Sequence, residues 1–143
     1  MNKSNNKNNN HKVTALYLRI SREDKDRDES YSISNQRHLL QDIVTKLDLH
    51  NTREYIDDGI TGTRRDRESF QRMLADIEKG EIGTVVVKDL SRLARDHIQA
   101  DTLIEEVFPE YDVRLIAPGD SVDTSKGEDE IIPFRNLMKN TYI

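Results

Sequence analysis

Tyr17, Arg19 and Ser21 alternate along a short, largely apolar run, VTALYLRI followed by Ser21. Side chains on a strand alternate between faces, so these three share one face and Leu16, Leu18 and Ile20 take the other. A guanidinium late in a central strand is costly unless it meets an anion. Ser21 stands just beyond it, where an exposed hydroxyl could reach a ligand. A second group, Ser91-Arg92-Leu93-Ala94-Arg95, follows another β-branched run and opens a helix. Arg92 and Arg95 are three apart and share a helical face, with Leu90 and Leu93 on the adjacent one. The macrodipole opposes cations at a helix start, so two arginines there make more sense if an anion binds. The third group is the loop GITGTRRDR, residues 59–67, with Arg64, Arg65 and Arg67. Each group alone also fits a solvated surface. Together they put one hydroxyl nucleophile and several arginines on one rim, with no metal-ligand set. That suits metal-independent displacement at a phosphodiester: guanidinium forks neutralise the phosphate and its developing charge, and serine attacks.

The elements that must position these groups follow from periodicity. Residues 13–20, 53–57, 84–88 and 113–117 are short and β-rich, and predict four strands. Leu39, Leu40, Ile43, Val44 and Leu47 recur at helical spacing and predict a helix over 33–48. Phe70, Met73, Leu74 and Ile77 predict a second, ended by Gly80. Helical spacing over 90–108 predicts a third, with Pro109 after it, and Ile131, Phe134, Leu137 and Met138 a last one. This alternation without tight hairpins predicts an α/β fold. It would have three α/β/α layers and a mainly parallel sheet of four to five strands, with right-handed crossovers. In such sheets chemistry collects at the carboxyl ends of strands, near the switch point. All three arginine groups would stand on that rim. There is no GxGxxG and no glycine-rich phosphate loop, so a nucleotide cofactor is not expected.

Composition bounds the rest. One domain is expected from 143 residues, and charged residues at 34% make it very polar. The net charge of -5 argues at first against a nucleic-acid partner, but the charge is segregated. Residues 1–100 hold 18 basic against 17 acidic side chains, whereas residues 101–143 hold 4 against 10. Cysteine is absent, which excludes disulfides, thiol catalysis and cysteine-ligated metal. No apolar run approaches the length of a membrane span, and no apolar signal core opens the chain, so a cytoplasmic protein is expected. Six of the first ten residues are Asn, which predicts a disordered tail over 1–12. The folded domain is expected over 13–143.

Four segments resemble the catalytic domain of the serine recombinases, the resolvase/invertase superfamily. They are Tyr-Leu-Arg-Ile-Ser at 17–21, SISNQR at 32–37, DDGITGT at 57–63 with Asp66-Arg67, and VKDLSRLARD at 87–96. The likeness runs over about residues 13–138. It is nearest to the large members carried by phages and by conjugative or mobilisable transposons. The resemblance implies DNA integration or excision through a 5′-phosphoserine intermediate, with Ser21 as nucleophile. Arg19, Arg67, Arg92 and Arg95 would bind the phosphate and stabilise its transition state. It further implies a supporting glutamine, Gln36, near the nucleophile, and no cofactor. Tyr17 is taken as a further supporting residue, and Arg64 and Arg65 as DNA contacts. Double-stranded DNA sites would be the partner, with a dimer or tetramer in the full-length protein. Small resolvases have an aspartate where Ser91 stands. Neither Ser91 nor Asp89 is assigned that role, and Asp57 and Asp58 are left open. The ending, NLMKNTYI, departs from the family pattern before its long dimerisation helix and DNA-binding domains, so a truncated catalytic domain is expected. That truncation supports an alternative, an inactive fragment acting as an interaction or regulatory module. A receiver-like phosphoacceptor domain would need Asp24, Asp89 and Lys126, but Arg19 and Ser21 occupy the place of its acidic pair.

Overall fold

The computed structural model describes residues 12–21, 32–59, 67–94 and 96–125. Residues 1–11, the charged stretch after Ser21, Arg64, Arg65, Arg95 and the helix expected at 131–138 lie outside the described residues.

Among the described residues, five strands form one sheet. β1 (Val13–Ser21) is followed by α1 (Ile33–Lys46), β2 (Thr52–Gly59), α2 (Glu68–Glu78) and β3 (Ile82–Val87). A short helix α3 (Leu90–Leu93) comes next, then α4 (His97–Thr102), a π-helical turn Leu103–Val107 and α5 (Phe108–Glu110). β4 (Arg114–Ala117) and β5 (Val122–Asp123) complete it. The strand order is β2-β1-β3-β4-β5. All pairings are parallel except β4 with β5.

Winding reverses once. The chain steps from β1 out to β2, then returns past β1 to β3. Right-handed crossovers in opposite directions put their helices on opposite faces. On one face Leu39, Leu40 and Ile43 of α1 pack against Leu16, Leu18, Val86 and Ile116. On the other, Phe70, Met73 and Ile77 of α2, with Ala100, Leu103 and Phe108, pack against Val13, Ala15, Tyr17, Val85, Val87 and Leu115. Tyr17 thus faces one layer and Leu16 and Leu18 the other, as the alternation of β1 predicts, and the architecture is the expected three-layer α/β/α. Truncating a fully enclosed residue such as Leu40 to Ala costs about 2–5 kcal/mol.

The caps explain the helix ends. Ser32 accepts from the Asn35 amide at 3.1 Å and starts α1. Gly80, at φ +79°, ends α2 with its N–H on the Ile77 carbonyl at 2.9 Å, and Glu81 N–H reaches Asp76 at 3.1 Å. The single helix expected over 90–108 is instead broken. Two aspartates each start a helix: Asp89 accepts from the Arg92 amide and Asp96 from the Gln99 amide. Between them Ala94 is extended, at φ -144° and ψ 151°. Helical structure also runs past Pro109 to Glu110. The π-helical turn before it shifts the hydrogen-bond register around a residue that has no N–H to give.

β5 is a strand that periodicity over two residues could not show. It lies at Val122–Asp123, in an acidic stretch of the chain. Asp123 there is buried at 5% exposure and takes a bidentate fork from Arg114, at 3.0 and 2.7 Å. Burial raises the Asp123 pKa, but Arg114 and the Ser125 donors outweigh it and hold the carboxyl below its usual range. No described helix is long and apolar enough to cross a membrane.

Candidate active site

β1 pairs with β3 only as far as Tyr17–Val87, but with β2 as far as Ser21–Gly59. Beyond Val87 the third strand gives way to α3, which leaves a notch beside the last four residues of β1. This notch is the switch point of the sheet, where crossovers part to opposite faces. Strand polar groups that β3 no longer pairs must find other partners. Gln36, fully buried in the first turn of α1, supplies them. Its Oε1 accepts from Arg19 N–H at 3.1 Å, and its Nε2 donates to the Arg19 carbonyl at 2.8 Å.

The Arg19 side chain crosses the notch to α3. Its Nε donates to the Arg92 carbonyl at 2.9 Å and its Nη2 to the Ser91 carbonyl at 2.5 Å. Arg92 returns the contact, its Nη1 donating to the Arg19 carbonyl at 2.9 Å. Arg92 is 5% exposed. The sequence placed it at the start of a long helix; it stands instead in the last turn of a four-residue one. The carbonyls there have no helical partner, and the arginines use them.

Arg67 comes in from the other face, at the residue before α2. Its Nη2 donates to the Leu93 carbonyl at 2.6 Å, and its Nη1 lies 3.5 Å from the Arg92 carbonyl. Its guanidinium carbon sits 4.0 Å from the Phe70 ring centroid and 5.8 Å from that of Tyr17. Both aromatic faces attract the cation. Arg19 and Arg67 therefore meet at three consecutive carbonyls, 91 to 93, and Arg92 joins them through the Arg19 carbonyl.

Asp57 holds this corner. It is 4% exposed and sits near the end of β2. α2 has no cap of its own, since Arg67 makes no side-chain cap bond. Asp57 does that work across the sheet edge, accepting from the Ser69 and Phe70 amides at 2.8 and 3.0 Å. It also accepts from the Tyr17 hydroxyl at 2.7 Å. Burial pushes the Tyr17 pKa far up, Arg67 pulls against this, and the bond to Asp57 raises it further. Tyr17 thus remains a neutral donor. The sequence left Asp57 open because a cap supplied from another element has no local signature.

Ser21 is the last residue of β1, two beyond Arg19, with its backbone opposite Gly59. Its side chain, Arg64, Arg65 and Arg95 lie outside the described residues. The structure thus gathers Tyr17, Arg19, Gln36, Arg67 and Arg92, and shows in addition Asp57 and Asp89. Asp89 carries a signal that sequence could have used: an aspartate three residues before Arg92, at the start of a helix.

Comparison with known proteins agrees with this architecture. Residues 14–139 match the resolvase N-terminal domain family. The N-terminal catalytic domain of TP901-1 integrase is similar at a TM-score of 0.68 and 25% identity, over 92% of this chain and 100% of that one. A resolvase family site-specific recombinase from Streptococcus pneumoniae is similar at a TM-score of 0.67 and 27% identity, over 90% of this chain and 86% of that one. The C-terminal catalytic domain of ISC1926 TnpA, an IS607-like serine recombinase, shares the fold at a TM-score of 0.58 and 17% identity, over 89% and 79% of the two chains. No curated protein sequence matches the chain. With its family match spanning residues 14–139 and its fold shared with these recombinase domains, this chain belongs to the resolvase family of serine site-specific recombinases.

Proposed function

We propose that Ser21 is the nucleophile of a DNA strand exchange. Its Oγ attacks the scissile phosphorus, a Ser21–phosphate ester forms, and the bond to the 3′ oxygen breaks. The serine proton leaves and a proton reaches the departing 3′ oxygen. Attack by a 3′-hydroxyl on the phosphoserine reverses the sequence and reseals the strand. No ATP is consumed, because the ester keeps the bond energy. Arg19, Arg67, Arg92 and Arg95 bind the phosphate and take up its growing negative charge. Tyr17 and Gln36 support the site, and Arg64 and Arg65 contact flanking DNA. The observation that carries this reading is the meeting of Arg19, Arg67 and Arg92 beside the strand that ends in Ser21.

Residues 13–143 are read as a catalytic domain, working in the cytoplasm as part of a dimer or tetramer in a mobile element. With a net charge of -5 it has few phosphate contacts to offer, so the chain alone is expected to bind DNA weakly. The test tethers the chain to a DNA-binding module and offers a nicked suicide substrate. A covalent protein–DNA adduct that Ser21→Ala abolishes, and that Arg19→Ala or Arg92→Ala greatly weakens, supports the reading. An adduct that survives Ser21→Ala overturns it.

A further inference from the structure

Arg92 is the most deeply buried guanidinium of the cluster, with its side chain 6% exposed. A buried cation needs both a counter-charge and a fixed direction. Its Nη1 is fixed on the Arg19 carbonyl. The other side of the group faces Ser91 and Asp89. Arg92 Nη2 donates to Ser91 Oγ at 3.3 Å, Ser91 Oγ donates to Asp89 Oδ1, and the same Oδ1 lies 3.7 Å from Arg92 Nε. Because the hydroxyl proton is committed to the carboxylate, the Ser91 lone pairs are left to face Arg92. Such a chain polarises each of its links.

Asp89 is itself held in place. Its backbone is extended, at φ -156° and ψ 169°. The turn after β4 closes on it, with Gly119 N–H on the Lys88 carbonyl at 2.8 Å. A Cβ at Gly119 would lie 2.7 Å from that carbonyl and 2.8 Å from Asp89 Cβ. Asp120 accepts from the Leu90 amide at 2.7 Å. The two carboxylates serve different amides of α3, and Asp89 does more than cap, since the oxygen that accepts from the Arg92 amide also takes the Ser91 hydroxyl.

We propose that Asp89, acting through Ser91, is the positioning residue that aims Arg92 at the scissile phosphate. This rests on the function proposed above. Capping and positioning separate cleanly, because asparagine caps a helix as well as aspartate does but carries no charge. In Asp89→Asn, the amide can donate to Ser91 Oγ and turn its proton toward Arg92.

The test uses the full chain, tethered to a DNA-binding module, in single-turnover adduct formation. Asp89→Asn is expected to slow the reaction about 100-fold at saturating DNA, the loss typical of a misplaced group. Apparent DNA affinity should stay within about threefold, since the interaction is made in the transition state. Ser91→Ala, which leaves the Asp89 cap intact, is expected to slow it about tenfold by loss of one link. The double variant Asp89→Asn/Ser91→Asp puts a carboxylate where Arg92 Nη2 already points, and should restore most of the rate. In the untethered chain, the Arg92 Nε–Hε NMR resonance should shift and broaden in Asp89→Asn.

A rate within about threefold of wild type in Asp89→Asn overturns the proposal, since a misaimed group costs far more. So does a slowed variant whose Arg92 resonance is unchanged. If Asp89→Asn does not fold, Ser91→Ala decides by the same two readings. Should wild type form no adduct, or Ser21→Ala still form one, the proposed function falls, and the Arg92 resonance alone judges the positional claim.

Discussion

The side-chain amide of Gln36 completes the backbone of Arg19, pairing its N–H and its carbonyl where β3 has turned away. A side chain here stands in for a strand. Gln36→Leu keeps the bulk but leaves the Arg19 N–H buried without that partner, and should cost about 1–3 kcal/mol in urea unfolding. Amide hydrogen exchange should quicken at Arg19 and stay unchanged at Tyr17, which β3 still pairs.

Asp57, the register partner of Arg19 on β2, should matter to the whole corner. Asp57→Ala frees the Ser69 and Phe70 amides and the Tyr17 hydroxyl together. The expected loss is about 3 kcal/mol, because a charged acceptor of several donors is removed at once. Tyr17→Phe removes one of those bonds and should lose about 1 kcal/mol. Thermal melts of the two variants check the order.

Tyr17 should also announce itself on titration. Burial and the bond to Asp57 hold its phenol neutral, against the pull of Arg67. With the folded pKa raised, its contribution to stability is whole below the unfolded tyrosine value of about 10. It is lost as the pH climbs from there toward the folded value. Absorbance titration of wild type against Tyr17→Phe should show no difference near pH 10 while the fold survives.

At low pH the sensitive pair is Asp123 with Arg114. Burial opposes the Asp123 charge, and the fork from Arg114 with the Ser125 donors more than offsets it, so its folded pKa lies below the unfolded value. The pair's stabilisation is therefore present above the unfolded aspartate value of about 4 and disappears as the pH falls through the folded one. Asp123→Asn should flatten the acid limb of the stability curve, read by denaturant midpoints from neutral pH downward.

Gly119→Ala tests how tightly the turn after β4 is seated. The new methyl meets the Lys88 carbonyl and Asp89 Cβ below contact distance. The expected destabilisation is about 1–3 kcal/mol, the range for overpacking, in the same urea assay.

The order of β1 to β4 and of α1 and α2 was legible in the sequence because each was long enough to show its period. Leu39, Leu40 and Ile43 mark one face of α1, and Phe70, Met73 and Ile77 one face of α2. The break at Ala94 was also written there, in two aspartates each placed to start a helix, but the apolar spacing over 90–108 runs across it. β5 could not be seen, since its two residues are held by Asp123 meeting Arg114 rather than by a pattern. The arginines were legible as a group. What fixes them was not legible in spacing: Gln36, expected only through the family resemblance, acts because β3 ends early, and Asp57 because β2 reaches the start of α2. Those are relations between elements distant in the chain, invisible to local spacing.

Arg67 is gripped by peptide dipoles and aromatic faces. Among the described residues, these partners fix its direction yet cancel none of its unit charge, as a carboxylate would. The molecule thus keeps an aimed, unspent positive pole inside a chain that is negative as a whole. A polyanion approaching this corner would be drawn in over the last few ångströms, where the local field outweighs the distant acidic third.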